Sequence, residues 1–149
     1  MNNDCVSRAE SIIGYVFSDK SLLLCALTYK SYVNEYGGES NERLEYLGDS
    51  VLNLIAAELL YRATPADEGV LTELRKGIVS RKPLAAAVKK MGLLECCRMG
   101  KGAKMGLADF GEKPISDLFE AALGAIYLDG GLKPAREFVA RHLLSESEK

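Results

Sequence analysis

The stretch Asn41–Leu52, NERLEYLGDSVL, decides how this chain is read. Leu44, Leu47 and Val51, continued by Leu54 and Ile55, recur at three- and four-residue steps, the period of a helix with one buried face. Glu42, Glu45 and Asp49 keep the same steps, so they stack on a stripe beside the apolar one. Carboxylates so spaced repel by a few tenths of a kcal/mol per pair. A cation between them removes that cost. Gly48 lies beside the acids and leaves room for a second helix to come close.

A second segment offers the partner. Pro114 suits the first turn of a helix running to Asp129 and ended by Gly130 and Gly131. Ile115, Leu118, Phe119, Leu123, Ile126 and Tyr127 form its apolar side, with Asp117 and Glu120 three apart at the margin. Ala121 and Gly124 are small beside those acids, as Gly48 is on the first helix. Close approach of the two helices would bring Glu45, Asp49, Asp117 and Glu120 to one point. Four oxygen donors without His or Cys suit Mg²⁺ or Mn²⁺ better than zinc. By spacing alone, solvated helix flanks or structural ion pairs are the commoner reading of such acids.

Outward from these two segments the pattern stays helical. A short first helix carries Val6, Ala9, Ile12, Ile13 and Val16, and Ser18 or Asp19 caps a second with Leu22, Leu23, Ala26 and Leu27. Residues 34–40 read as a polar connection, the signature helix runs from about Asn41 to Arg62, and Pro65 lies beyond it. Asp67 caps a helix carrying Val70, Leu71, Leu74 and Ile78; Pro83 opens another that Gly92 closes. Residues 100–112 are glycine-rich and read as a loop, and Lys133–Pro134 open a last helix through Leu143. No alternating β-branched run requires a strand, so the expected class is all-α.

The chain has 149 residues, enough for one domain with its own core. It carries 19 basic and 21 acidic residues, a net charge of −2, without the basic surplus that phosphate neutralisation alone demands. Cys5, Cys25, Cys96 and Cys97 have neither C-x-x-C spacing nor a paired His and read as reduced thiols, as expected of a cytoplasmic protein. No signal peptide or membrane-spanning run is visible. Arg75, Lys76, Arg81 and Lys82 read as a solvated face, and His142 as structural.

NERLEYLGDSVL closely resembles the signature of the ribonuclease III family. Further similarity keeps the family's order: FSDKSLLLCALTYKS at Phe17–Ser31, DEG at Asp67–Gly69 and SDLFEAALGAIYLDGG at Ser116–Gly131. The resemblance, of the bacterial type, runs from about Cys5 to Leu144. It implies the family's all-α endonuclease fold as a twofold homodimer, acting in the processing of rRNA and mRNA. It places the metal ligands on Glu45, Asp49, Asp117 and Glu120, with Asp49 and Glu120 catalytic. Glu42 and Glu68 match positions that support substrate or dimer contacts. The implied activity is Mg²⁺-dependent hydrolysis of double-stranded RNA, with Mn²⁺ as a substitute, leaving 5′-phosphate and 3′-hydroxyl ends with short 3′ overhangs. One metal ion would activate water and a second would stabilise the departing 3′ oxygen.

Three departures from the family pattern stand out. Tyr29 occupies a position where the family often has His, and is expected to lie far from the four acids. Ala103 aligns where the family often has an acid, within the glycine-rich loop. The 149 residues are expected to be the catalytic domain alone, without a double-stranded-RNA-binding domain, and with Ser145–Lys149 as a polar tail or linker stub. A catalytically silent relative that binds structured RNA or ribosomal particles is the alternative, but such relatives are expected to have lost at least one of the four acids. A di-iron helical bundle is disfavoured because Glu-x-x-His pairs are absent.

Overall fold

In the computed structural model, which describes residues 3–101 and 110–144, the order is α1 (Asn3–Ile13), α2 (Lys20–Ala26), α3 (Lys30–Tyr36), α4 (Glu42–Ala63), α5 (Glu68–Val79), α6 (Arg81–Met91), a 3₁₀ turn (Leu93–Cys96), α7 (Glu112–Gly130) and α8 (Leu132–Val139). A π-helical turn, Ala140–Leu144, extends α8. No strand occurs among the described residues; one isolated parallel bridge joins Thr28 to Arg98. Ala103 and Ser145–Lys149, and with them the expectations placed on them, lie outside the described residues.

The sequence signals place most boundaries. The Asp19 side chain accepts from the Ser21 N–H to start α2, and Asp67 accepts from Val70 N at 3.1 Å to start α5. Gly92 at φ +76° closes α6, a left-handed conformation that costs a glycine little. Two helical segments follow no strong apolar period and were not anticipated, α3 and the 3₁₀ turn. In α3 no residue is buried. Its position is held from outside, by Tyr29 N donating to Arg98 O at 2.9 Å and Gly100 N to the Ser31 hydroxyl at 2.9 Å. The first helix ends at Ile13 rather than Val16, because Gly14 takes φ +87°; Val16 is left 72% exposed.

α7 is the centre of the fold. The sequence suggests one apolar side, yet every residue from Leu118 to Ile126 is buried, as is usual for a helix covered on several faces. α4, α6, α8 and α2 all pack on it. Phe119 meets Phe138 of α8 with ring centroids 4.9 Å apart. Full burial of side chains such as Phe119, Leu123 and Ile126 contributes roughly 1.5–3 kcal/mol each.

Two expected core assignments are corrected. Leu54 of α4 is 54% exposed, and α5 has no buried residue at all, with Val70 and Leu74 about half exposed. The helical periods there are sound, but α4 turns only part of its apolar stripe toward α7. The remainder, with α5, faces outward.

Candidate metal centre

α4 and α7 touch backbone to backbone. A Cβ at Gly48 would fall inside the Glu120 carbonyl, and one at Gly124 inside the Leu44 carbonyl. This reciprocal contact places the Glu45 turn of α4 beside the Asp117–Glu120 turn of α7. The N-terminus of α4 is fixed by Asn41, 3% exposed, whose side-chain amide donates to Ala26 O and whose backbone N–H donates to Thr28 O at 2.8 Å.

The result is a convergence of carboxylates. One oxygen from each of Glu45, Asp117 and Glu120 lies within 4.8 Å of the others. Oxygens on opposite sides of a Mg²⁺ ion at ~2.1 Å stand ~4.2 Å apart, so these three residues fit a hard cation after small side-chain rotations. Asp49 stands just outside the trio, exposed, and is hydrogen-bonded to the Glu120 carboxyl. Asn53 Nδ2 donates to the Asp49 backbone carbonyl at 2.8 Å and only reaches the Oδ1 of its carboxylate at 3.5 Å. Three of the four acids singled out in the sequence converge, and Asp49 lies at their edge beside Glu120.

Electrostatics carries the same message. Burial in the α7 core pushes the Glu120 carboxyl up to about 9, helped by its hydrogen bond to Asp49 and by the charges of Asp49, Asp117 and Glu45. Burial and a hydrogen bond to Asp117 push Glu45 up to about 7. Crowded, desolvated acids hold protons that a divalent cation would displace.

Between pH 7 and 8.5 the folded metal-free chain keeps a proton on Glu120 that the unfolded chain has lost. Stability must therefore fall as pH rises, by at most about 1.4 kcal/mol per pH unit for one proton. Glu45, pushed up to about 7, adds to the same fall at the low end of the window, and His142, held low by burial, titrates below it. The Cys25, Cys96 and Cys97 thiols, pushed up by burial, weigh in the same direction near its top. In EDTA, the melting temperature of the wild type is expected to drop across the window more steeply than that of Glu120→Gln, which shares the thiols. Saturating Mg²⁺ should remove the difference in slope; parallel slopes in EDTA would contradict this protonation.

Glu42 and Glu68 are not drawn into the trio. Glu42 is exposed in the first turn of α4, accepts from the Ser40 hydroxyl at 3.3 Å, and is close enough for its charge to act on Glu45. It also lines a groove of about 890 Å³ shared with Leu22, Cys25, Leu44, Tyr46 and Leu47. Glu68 is exposed in the first turn of α5, outside the cluster.

Two residues of the centre were missed or misplaced by sequence reasoning. Tyr29 is not far from the acids. Its hydroxyl donates to Pro114 O at 2.7 Å and its ring meets Phe110 edge-on at 5.2 Å, so it braces the start of α7. Burial, with the charges of Cys97, Asp117 and Glu45, raises its phenol strongly. Lys113 ties to Asp117 through Nζ–Oδ2 at 2.9 Å. Its i,i+4 spacing to Asp117 was the available signal; that spacing alone does not separate it from an ordinary surface pair.

An all-helical fold whose central helix and signature helix bring three acids together, with a fourth at their edge, offers the oxygen donors of a hard-cation site. The comparisons narrow this class. The model of the ribonuclease-III-like family matches residues 19–147. The chain is 45% identical over 133 residues to Ribonuclease 3 of Symbiobacterium thermophilum, covering 88% of this chain and 56% of that protein. It is 41% identical over 144 residues to Ribonuclease 3 of Pseudomonas fluorescens, covering 96% and 61%. The nuclease domain of ribonuclease III from Campylobacter jejuni superposes with a TM-score of 0.87 at 32% identity, over 97% of this chain and 99% of that one. That structure is described for flexibility in a region involved in dimer formation. A second structure of the same domain gives a TM-score of 0.86 at 30% identity. The chain belongs to the ribonuclease III family. It spans 56–61% of the length of these two curated relatives.

Proposed function

We propose that this chain is the catalytic unit of a Mg²⁺-dependent endoribonuclease, able to use Mn²⁺, that cuts double-stranded RNA as a homodimer. The convergence of Glu45, Asp117 and Glu120 oxygens within 4.8 Å carries this reading, with Asp49 bonded to Glu120. These four hold the cation, and Asp49 and Glu120 stand nearest the reacting phosphodiester. A bound divalent cation supplies a water of lowered pKa and positive charge for the departing 3′ oxygen. Products with 5′-phosphate and 3′-hydroxyl ends and short 3′ overhangs follow from family membership. Retention of all four acids favours an enzyme over a silent RNA-binding relative.

The protein's own groups set up the reaction. Burial of Glu120 in α7 limits its rotamers, so little reorganisation of this carboxylate is needed at the moment of reaction. Glu42 stands at the edge, where it would meet substrate or partner. A-form RNA presents phosphates and 2′-hydroxyls across a shallow minor groove, so shape outweighs base sequence in selection. With a net charge of −2 the chain by itself should bind RNA weakly, and lose that binding steeply with salt.

The outward face supports the dimer. Tyr46 is 81% exposed beside the groove lined by Leu22, Leu44 and Leu47, and Leu54, Val70 and Leu74 add apolar surface on α4 and α5. A second copy would cover such surface, and Glu68 of α5 would then lie near the interface. Light scattering at micromolar protein should give twice the chain mass; a monomer would overturn the dimer. No helix among the described residues is long and apolar enough to cross a membrane. Long double-stranded RNA should be cut with Mg²⁺ or Mn²⁺ and left whole in EDTA. Cutting undiminished by EDTA, or absent with both metals at low salt, would overturn the proposed activity.

A further inference from the structure

The first turn of α7 contains a placement that helix stability does not explain. Lys113 sits near the positive end of the helix dipole, where a cation is unfavourable. It also precedes Asp117 by four residues, the weaker order for an ion pair along a helix. Exposed pairs of this kind contribute little to folding. Yet Nζ stands 2.9 Å from Asp117 Oδ2, and the Glu45 carboxylate acts on the same ammonium. The Asp117 side chain is only 17% exposed, whereas Lys113 is 60% exposed on a flexible four-carbon stem. One end is held in the cluster and the other is free to leave.

We propose that Lys113 is a resident counter-ion of the carboxylate cluster, a positioning residue that competes with the divalent cation for Asp117. The inference rests on the metal-centre reading given above. Without divalent metal, the ammonium holds Asp117 in place beside Glu45 and Glu120 and offsets part of their mutual repulsion. When a cation arrives, the ammonium swings into solvent, so the apparent affinity for the metal is lower than the four carboxylates alone would give. The lysine thereby links metal occupancy to the ionic strength and metal concentration around the protein.

Binding of Mn²⁺ without RNA tests this, read from the signal of free Mn²⁺ in electron paramagnetic resonance at low ionic strength. Lys113→Met and Lys113→Gln are expected to bind Mn²⁺ about 3–10-fold more tightly than the wild type, because one repelling unit charge a few ångströms away is removed. Lys113→Arg should keep wild-type affinity, and the gain should shrink as salt screens the charge. If both neutral variants bind Mn²⁺ no more tightly than the wild type, while Glu120→Gln loses binding, the role of Lys113 is overturned and the metal centre stands. If the wild type shows no saturable Mn²⁺ binding, the metal centre itself is overturned.

Discussion

Glu120→Gln is expected to reduce cleavage of double-stranded RNA by roughly 10³-fold or more, a loss of about 4 kcal/mol of transition-state stabilisation. The substitution keeps side-chain volume and one oxygen, so packing inside α7 is preserved. What disappears is the anionic charge that the centre needs once its proton is displaced. In the metal-free protein Glu120 is already held protonated, pushed up to about 9 by burial and neighbouring acids. Gln therefore resembles the resting state, and the folded chain should gain roughly 0.5–2 kcal/mol at pH 8. Loss of cleavage with a raised melting temperature in EDTA is the signature of an acid kept at the expense of stability. Cleavage within a few fold of the wild type would remove Glu120 from the metal set. A collapse of the melting temperature would instead assign it a structural role.

The second large effect is expected at a residue with no chemistry of its own. Gly48→Ala adds one methyl group where the Glu120 carbonyl already lies, with the Glu120 Cα only 3.1 Å from the built Cβ. Backbone cannot step aside as a side-chain tip does, so α4 and α7 must separate. Destabilisation of roughly 3 kcal/mol or more is expected, beyond the usual cost of overpacking because both helices are central. Urea denaturation at fixed pH measures it. Separation would also move Glu45 and Asp49 away from Asp117 and Glu120, so any folded Gly48→Ala protein should bind Mn²⁺ much more weakly. A variant with unchanged midpoint and unchanged Mn²⁺ affinity would show that close helix approach does not build the centre.

Gly48 also marks how much of the site is legible in the sequence. Acids at Glu42, Glu45 and Asp49 beside an apolar stripe, and at Asp117 and Glu120 beside another, are local patterns. Small residues next to both sets point to where two helices can touch. That information lies within a few residues of each acid, because helical period and side-chain volume are local properties. Caps at Asp19 and Asp67 and the turn at Gly92 are legible for the same reason.

Other features depend on segments far apart in the chain. Tyr29 and Pro114 are 85 residues apart, and only folding brings the phenol under the start of α7. α3 has no buried residue and no amphipathic signature, so its helical form owes more to the contacts anchoring its ends than to its own pattern. Leu54, Val70 and Leu74 carry the periodicity of buried positions yet remain exposed within one chain. A hydrophobic period marks which face seeks cover, not what covers it.

Local order along the chain thus sufficed for most of the helices, their caps and the candidacy of the four acids, since each depends on neighbours within a turn or two. The depth of Glu120, the lysine held against Asp117 and the outward turn of α5 had to wait for packing. Burial and charge proximity are set by the whole assembly of helices around α7, and no short window of residues contains them.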